Sequence, residues 1–192
     1  MATATKPDRL HFTGNDDADA LIAREPFALL VGFALDQQVP VQTAFTGPLK
    51  IKQRLGTLDP RAIASTDPAT LEAAFREKPA VHRFPGTMAQ RVQDLARTIV
   101  DEFNGEAERV WTAASDGQEL KMRLATLPGF GDMKVRAMLG VLSKRFGVQL
   151  EGMDDVVPKH PTLGDVDSAQ ALADYQAKKR AHKAGMRAKP KA

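Results

Sequence analysis

The stretch Leu124 to Leu139, Leu-Ala-Thr-Leu-Pro-Gly-Phe-Gly-Asp-Met-Lys-Val-Arg-Ala-Met-Leu, constrains the fold more than any other. Pro128 cannot continue a helix, and Gly129 and Gly131 can take the φ > 0 conformations that a reversal needs. Leu124 and Leu127 close an apolar face before the break. Asp132 is placed to start a second helix, in which Ala137, Met138, Val141 and Leu142 recur at helical spacing. A turn of this kind at a helix start points backbone N–H groups outward, where the helix dipole favours an anion, and Lys134 stands one turn in. An ordinary αα-turn with a glycine C-cap explains one glycine but not the Pro-Gly-x-Gly-x-x-Lys set. Residues 118–146 therefore predict a phosphate cradle, which on a basic chain suits a nucleic-acid backbone.

Composition narrows the setting. The 192 residues suffice for one domain, or for two small lobes sharing one core. No run of about 18 apolar residues occurs, so no membrane-spanning helix is expected. The start, Met-Ala-Thr-Ala-Thr-Lys, lacks an apolar signal core, which implies a cytoplasmic protein. The absence of cysteine excludes disulfides, thiolate metal sites and iron–sulfur clusters. Charge is spread unevenly. Lys178, Lys179, Arg180, Lys183, Arg187, Lys189 and Lys191 follow Tyr175 with no acid among them, and removing these seven charges from the net +3 leaves the rest of the chain at −4. The end, residues 175–192, suits sequence-independent contact with phosphates, or simply solvation.

Along the chain, Leu10 and Phe12 suggest a short extended piece before a helix over Asp16–Arg24 with acids in its first turn. Pro26 opens a second helix, expected to reach Gln38 and apolar nearly all round, hence buried. It ends in Asp36-Gln37-Gln38, which serves either a polar helix terminus or a ligand. Pro40 starts a third helix, with Gly47-Pro48 as its stop. Lys50, Lys52 and Arg54, spaced by two, do not share a helical face. Asp67-Pro68 joins an N-cap to a proline at the first helical position. His82, in a loop, is expected at the surface or as a cap. Met88, Val92, Leu95, Ile99 and Phe103 form the core stripe of a long amphipathic helix. After Phe146 glycines and prolines break the chain, until Ser168 opens a last helix that runs into the basic end. With no alternating strand pattern and no repeat, the chain is predicted all-α, with about nine or ten helices.

The string Leu-Pro-Gly-Phe-Gly-x-x-Lys-x-x-Ala closely resembles the hairpin of helix-hairpin-helix DNA-binding proteins. Followed by a Gly/Pro-rich loop and aspartate, it resembles the HhH-GPD superfamily of base-excision DNA glycosylases. Leu29 to Ala44, with Gln37-Gln38-Val39-Pro40 at its centre, is similar to the early Gln-Gln helix of the 3-methyladenine glycosylase II branch. Phe84 to Leu95 sits where the family carries its pre-hairpin helix. The resemblance implies a two-lobed helical fold over residues 1–174, with an active site in the cleft between the lobes. It implies double-stranded DNA as partner, met by Gln37, Gln38, Pro128, Gly129, Phe130, Gly131 and Lys134. It further implies a monomer associated with the nucleoid, no organic cofactor, and a monovalent cation held by the turn carbonyls.

The resemblance also implies chemistry. A target base leaves the stack, and an ionised aspartate stabilises the oxocarbenium-like sugar or orients the attacking water. Strand-cutting members carry a Schiff-base lysine two residues past the second hairpin glycine. Here Met133 stands there and Lys134 follows, so the expectation is a monofunctional hydrolase, without lyase activity, acting on a damaged base such as an alkylated one. The family's acid lies roughly twenty to twenty-two residues past that glycine. Asp154 and Asp155 are 23 and 24 residues on and are the expected catalytic pair. Asp167, 36 residues on, is one alternative. The other is that all three are turn and cap residues, in a non-catalytic DNA-binding protein of the same fold. Phe33, Phe45, Phe84, Trp111 and Tyr175 are the aromatic candidates for a base pocket, each also suited to a core.

Overall fold

The computed structural model describes residues 6–188, and the regular structure there is helical, apart from one isolated bridge between Asp116 and Glu151. The helices are α1 (Asp16–Arg24), α2 (Pro26–Leu35), α3 (Val41–Leu55), α4 (Pro60–Ser65), α5 (Pro68–Arg76), α6 (Pro85–Phe103), α7 (Arg109–Thr112), α8 (Gly117–Thr126), α9 (Asp132–Lys144), α10 (Met153–Val156) and α11 (Ala169–Ala188), with a 3₁₀ turn at Leu163–Asp165. The first six gather around α2 and α6, and α7 to α10 gather around the α8–α9 pair. One continuous apolar core joins the two groups.

The N-terminal segment packs without becoming a strand. Leu10 and Phe12 are buried, and the Asp19 carboxylate accepts the N–H groups of Phe12 (3.1 Å) and Thr13 (2.9 Å). Helix α1 has the expected bounds, with Asn15 as its cap. Helix α2 is buried throughout Phe27–Leu35 but ends before Asp36, three residues short of Gln38. The Asp36 N–H bonds to Phe33 C=O and that of Gln37 to Leu35 C=O, so the chain leaves the helix where polar side chains would enter an apolar bed.

Helix α3 does not stop at Gly47–Pro48 but continues to Leu55. Leu35 occupies the space a Gly47 side chain would need, so α2 packs directly on the expected break. That burial outweighs the one backbone bond Pro48 removes. Lys50, Lys52 and Arg54 each tie α3 to a different neighbour: the Ala80 carbonyl (3.2 Å), the Glu25 carboxylate, and the Ala74 and Pro79 carbonyls (2.7 Å each). Helix α4, not foreseen from the sequence, uses the same signal as α5. Asp59 and Asp67 each precede a proline, and each side chain accepts first-turn N–H groups. The apolar stripe of α6 is buried as its period predicts.

The wall that completes the site depends on one close approach. A side chain on Gly164 would overlap the Gly140 carbonyl and lie 2.9 Å from the Val141 nitrogen, so the 3₁₀ turn sits directly on α9. Beyond it, Ser168 Oγ accepts the Ala171 N–H (3.1 Å) and opens α11. Leu172 and a reciprocal amide pair between Gln42 and Gln176 (2.8 and 3.2 Å) fasten the first turns of α11 to the body. Lys189 and Lys191 lie outside the described residues, as do the side chains of Lys183 and Arg187.

Candidate functional site

The hairpin forms as expected: α8, a turn through Leu127–Gly131, then α9. The Phe130 N–H bonds to Leu127 C=O (3.0 Å) and closes the turn. Gly129 has φ 85°, a conformation glycine takes without penalty, and a side chain there would lie 2.6 Å from Arg91 Cδ. Gly131 differs from expectation: its φ is −85° and a side chain would meet nothing within 4 Å. It caps α9 without a side-chain acceptor, which leaves first-turn N–H groups open to an outside anion. Asp132 would oppose such an anion, but its carboxylate is paired with Arg136 (3.0 Å).

Two hairpin residues named above, Phe130 and Lys134, pack against the end of α2. Phe130 is buried with its ring 6.1 Å from that of Phe33, and so anchors the turn to α2. The Lys134 Nζ donates to Ala34 C=O (3.2 Å), because the carbonyl end of α2 is a natural seat for a cation. Burial lowers the Lys134 pKa to about 8, with Asp36 opposing that shift and Arg91 adding to it. Pro128 is half-buried on the turn.

A cleft of about 1420 Å³ opens between the hairpin, the end of α2, the segment 160–166 and α11. Met133 and Tyr175 supply apolar surface above the buried Phe33, and Lys134, Lys178 and Lys179 supply positive charge. Three acids, Asp36, Asp165 and Asp174, line it. Burial raises the pKa of Asp36 while Lys179 and Lys134 restrain the rise. Gln38 also lines the cleft, and the exposed Gln37 accepts a hydrogen bond from Arg91 through its side-chain oxygen. Arg91 thus touches both the Gln-Gln loop and the hairpin turn.

His82 holds this loop from behind. It is 1% exposed; its Nε2 lies 3.1 Å from Gln37 C=O and its Nδ1 accepts the Phe84 N–H (3.1 Å). Those partners place the proton on Nε2. Burial lowers its pKa, and the nearby Arg83 and Arg91 add to this. The one sequence signal for this role was the position of His82 between the apolar Val81 and Phe84. Of the aromatic candidates, Phe33, Phe45 and Trp111 are core, Tyr175 reaches the cleft, and Phe84 is 39% exposed with Arg83 over its ring at 4.8 Å.

Asp154 and Asp155 do not join this arrangement. They lie on α10, a single turn packed on α8 and α9 through Met153 and Val156. The Gly117 N–H bonds to Glu151 C=O (2.8 Å) and ties that segment to the start of α8, leaving both acids exposed and outside the cleft lining. Asp167 is likewise exposed and outside it. The acid the structure does bring to the cleft from the Gln-Gln segment, Asp36, read in sequence only as part of a polar helix end. Among the described residues no three His, Cys, Asp or Glu side chains are grouped to hold a metal ion, and no helix is long and apolar enough to cross a membrane.

A family model described as HhH-GPD superfamily base excision DNA repair protein matches residues 31–187. No curated protein and no solved structure matches the chain.

Proposed function

The chain belongs to the HhH-GPD superfamily of base excision DNA repair proteins, and on that premise we propose that it is a monofunctional DNA glycosylase acting on a damaged base in double-stranded DNA. The observation that carries this reading is a juxtaposition. An uncapped helix start suited to a phosphate opens beside a cleft that holds carboxylates, lysines and aromatic surface. The hairpin would hold the backbone while the extruded base enters between Tyr175 and the Gln38 loop. The carbonyls of Pro128, Gly129 and Phe130 accept no hydrogen bond among the described residues. They are the groups that would hold a monovalent cation, whose charge would add to the attraction for a phosphate. Met133, 74% exposed at the cleft rim, occupies the position of the family's Schiff-base lysine and supports hydrolysis without strand cutting.

The test is a set of duplex oligonucleotides, each with one modified base, incubated with the protein and then cleaved at abasic sites by heat and alkali. Excision of at least one lesion is expected. Binding without excision of any would instead mark a non-catalytic DNA-binding protein. A second reading, a strand-cutting enzyme, is favoured by one observation: Lys134 is half-buried in the cleft and titrates near pH 8, so a fraction is a neutral amine under mildly basic conditions. Covalent trapping on abasic DNA by borohydride, lost in Lys134→Ala, would establish it in place of the first.

A further inference from the structure

We propose that Asp36 is the catalytic carboxylate of this site, a deepening that rests on the glycosylase reading above. Elimination within the cleft leads to it. Asp165 is committed: its side chain takes Lys144 (2.6 Å) and the Thr162 N–H (2.8 Å). Asp174 accepts the side-chain amide of Gln170 (2.9 Å). Asp36 has neither an ion pair nor a side-chain hydrogen bond among the described residues, although it is partly buried and lines the cleft. A half-buried carboxylate with no protein partner among the described residues is open to whatever cation enters the cleft.

Two features hold that carboxylate ready. The Gln37–Gln38 segment after it is fixed by His82 and Arg91, so its backbone does not drift. Lys134 and Lys179 are near enough to oppose its protonation, and Lys134 is engaged on its other side by Ala34 C=O. Asp36 therefore has cations close by without being closed off by an ion pair. A positive charge developing on a sugar in the cleft would be the partner it lacks.

In the reaction the bond from C1′ to the base nitrogen breaks, and its electron pair leaves with the base. The sugar becomes an oxocarbenium cation facing the Asp36 carboxylate. Water then bonds to C1′ and gives its proton to that carboxylate. The departing base anion takes up one proton, Asp36 returns one to solvent, and the net change is hydrolysis.

The test separates this assignment from the glycosylase reading. Duplexes carry either a pyrrolidine, which is a cationic mimic of the sugar intermediate, or the neutral tetrahydrofuran at one abasic position. Wild type should bind the pyrrolidine duplex more tightly by about fivefold or more, the ratio that a charge pair roughly 4 Å apart gives even in water-like surroundings. Asp36→Asn should abolish that preference while leaving affinity for the tetrahydrofuran duplex and the melting temperature unchanged. Where a lesion is excised, Asp36→Asn should slow it by about 100-fold or more. If wild type excises nothing yet shows an Asp36-dependent preference, the glycosylase reading fails and the placement of Asp36 stands. The assignment is overturned if wild type shows no preference, if the preference survives in Asp36→Asn, or if Asp154→Asn or Asp155→Asn abolishes excision and Asp36→Asn does not.

Discussion

Replacing His82 with alanine tests whether the Gln-Gln loop is held from behind. The imidazole is 1% exposed and bridges Gln37 C=O and the Phe84 N–H, each at 3.1 Å. Alanine leaves both groups without their partner. A buried polar group so orphaned costs about 1–3 kcal/mol, and partial rescue by water at the α6 start puts the sum near 2–4 kcal/mol. For a chain of this size each kcal/mol shifts the melting temperature by about 2–4 °C. The loop has its own reason to relax, because Gln38 is held at φ 56°, which a non-glycine residue adopts at a cost. Denaturant unfolding and fluorescence anisotropy with a duplex should therefore show lost stability and weakened binding together. A pH arm fixes the cause. The folded-state pKa of His82 lies below the unfolded value, so the neutral ring stabilises the fold above about pH 6.5, and that contribution fades as pH falls toward the folded pKa. The corresponding slope should vanish in His82→Ala. A stability loss under about 0.5 kcal/mol, the level of an ordinary surface substitution, with unchanged DNA affinity, would refute the reasoning.

Gly129→Val should weaken DNA binding and cost about 1–3 kcal/mol in a chemical melt, since it meets both a positive φ and the Arg91 side chain. Gly131→Ala, at negative φ with open space around it, should leave stability within about 0.5 kcal/mol, and a loss like that of Gly129→Val would contradict the turn geometry. Gly164→Ala should destabilise by at least about 1–3 kcal/mol, because the obstacle is the α9 backbone rather than a movable side chain; a near-neutral result in calorimetry would mean the turn is not pressed on α9. Lys178→Ala with Lys179→Ala should reduce the salt slope of duplex binding by about 0.9 for each phosphate these lysines neutralise, and an unchanged slope would remove α11 from the interface.

Much of the fold was legible because its signals are local. The bounds of α1, the stripe of α6, the Pro-Gly-x-Gly hairpin and the Ser168 helix start each depend on residues within a few positions of one another. Misreadings came where a distant element intervened. Gly47–Pro48 looked like a stop until Leu35 packed on it, and Gly131 looked like a second left-handed position, although Gly129 alone makes the reversal.

The sequence by itself determined a helical chain with an anion-ready hairpin and a basic C-terminal end, since periodicity, turn chemistry and charge are written along the backbone. Only the tertiary structure decided which side chains face the cleft. Lys134 reaches across 100 positions to Ala34, His82 across 45 to Gln37, and Asp36 is set among lysines from α9 and α11. Asp154 and Asp155 keep the right order in sequence yet lie outside the cleft lining, because spacing along a chain does not fix which side of a one-turn helix meets solvent. Burial and long-range pairing are properties of the packed core, and they sort equivalent-looking acids into committed, exposed and available ones.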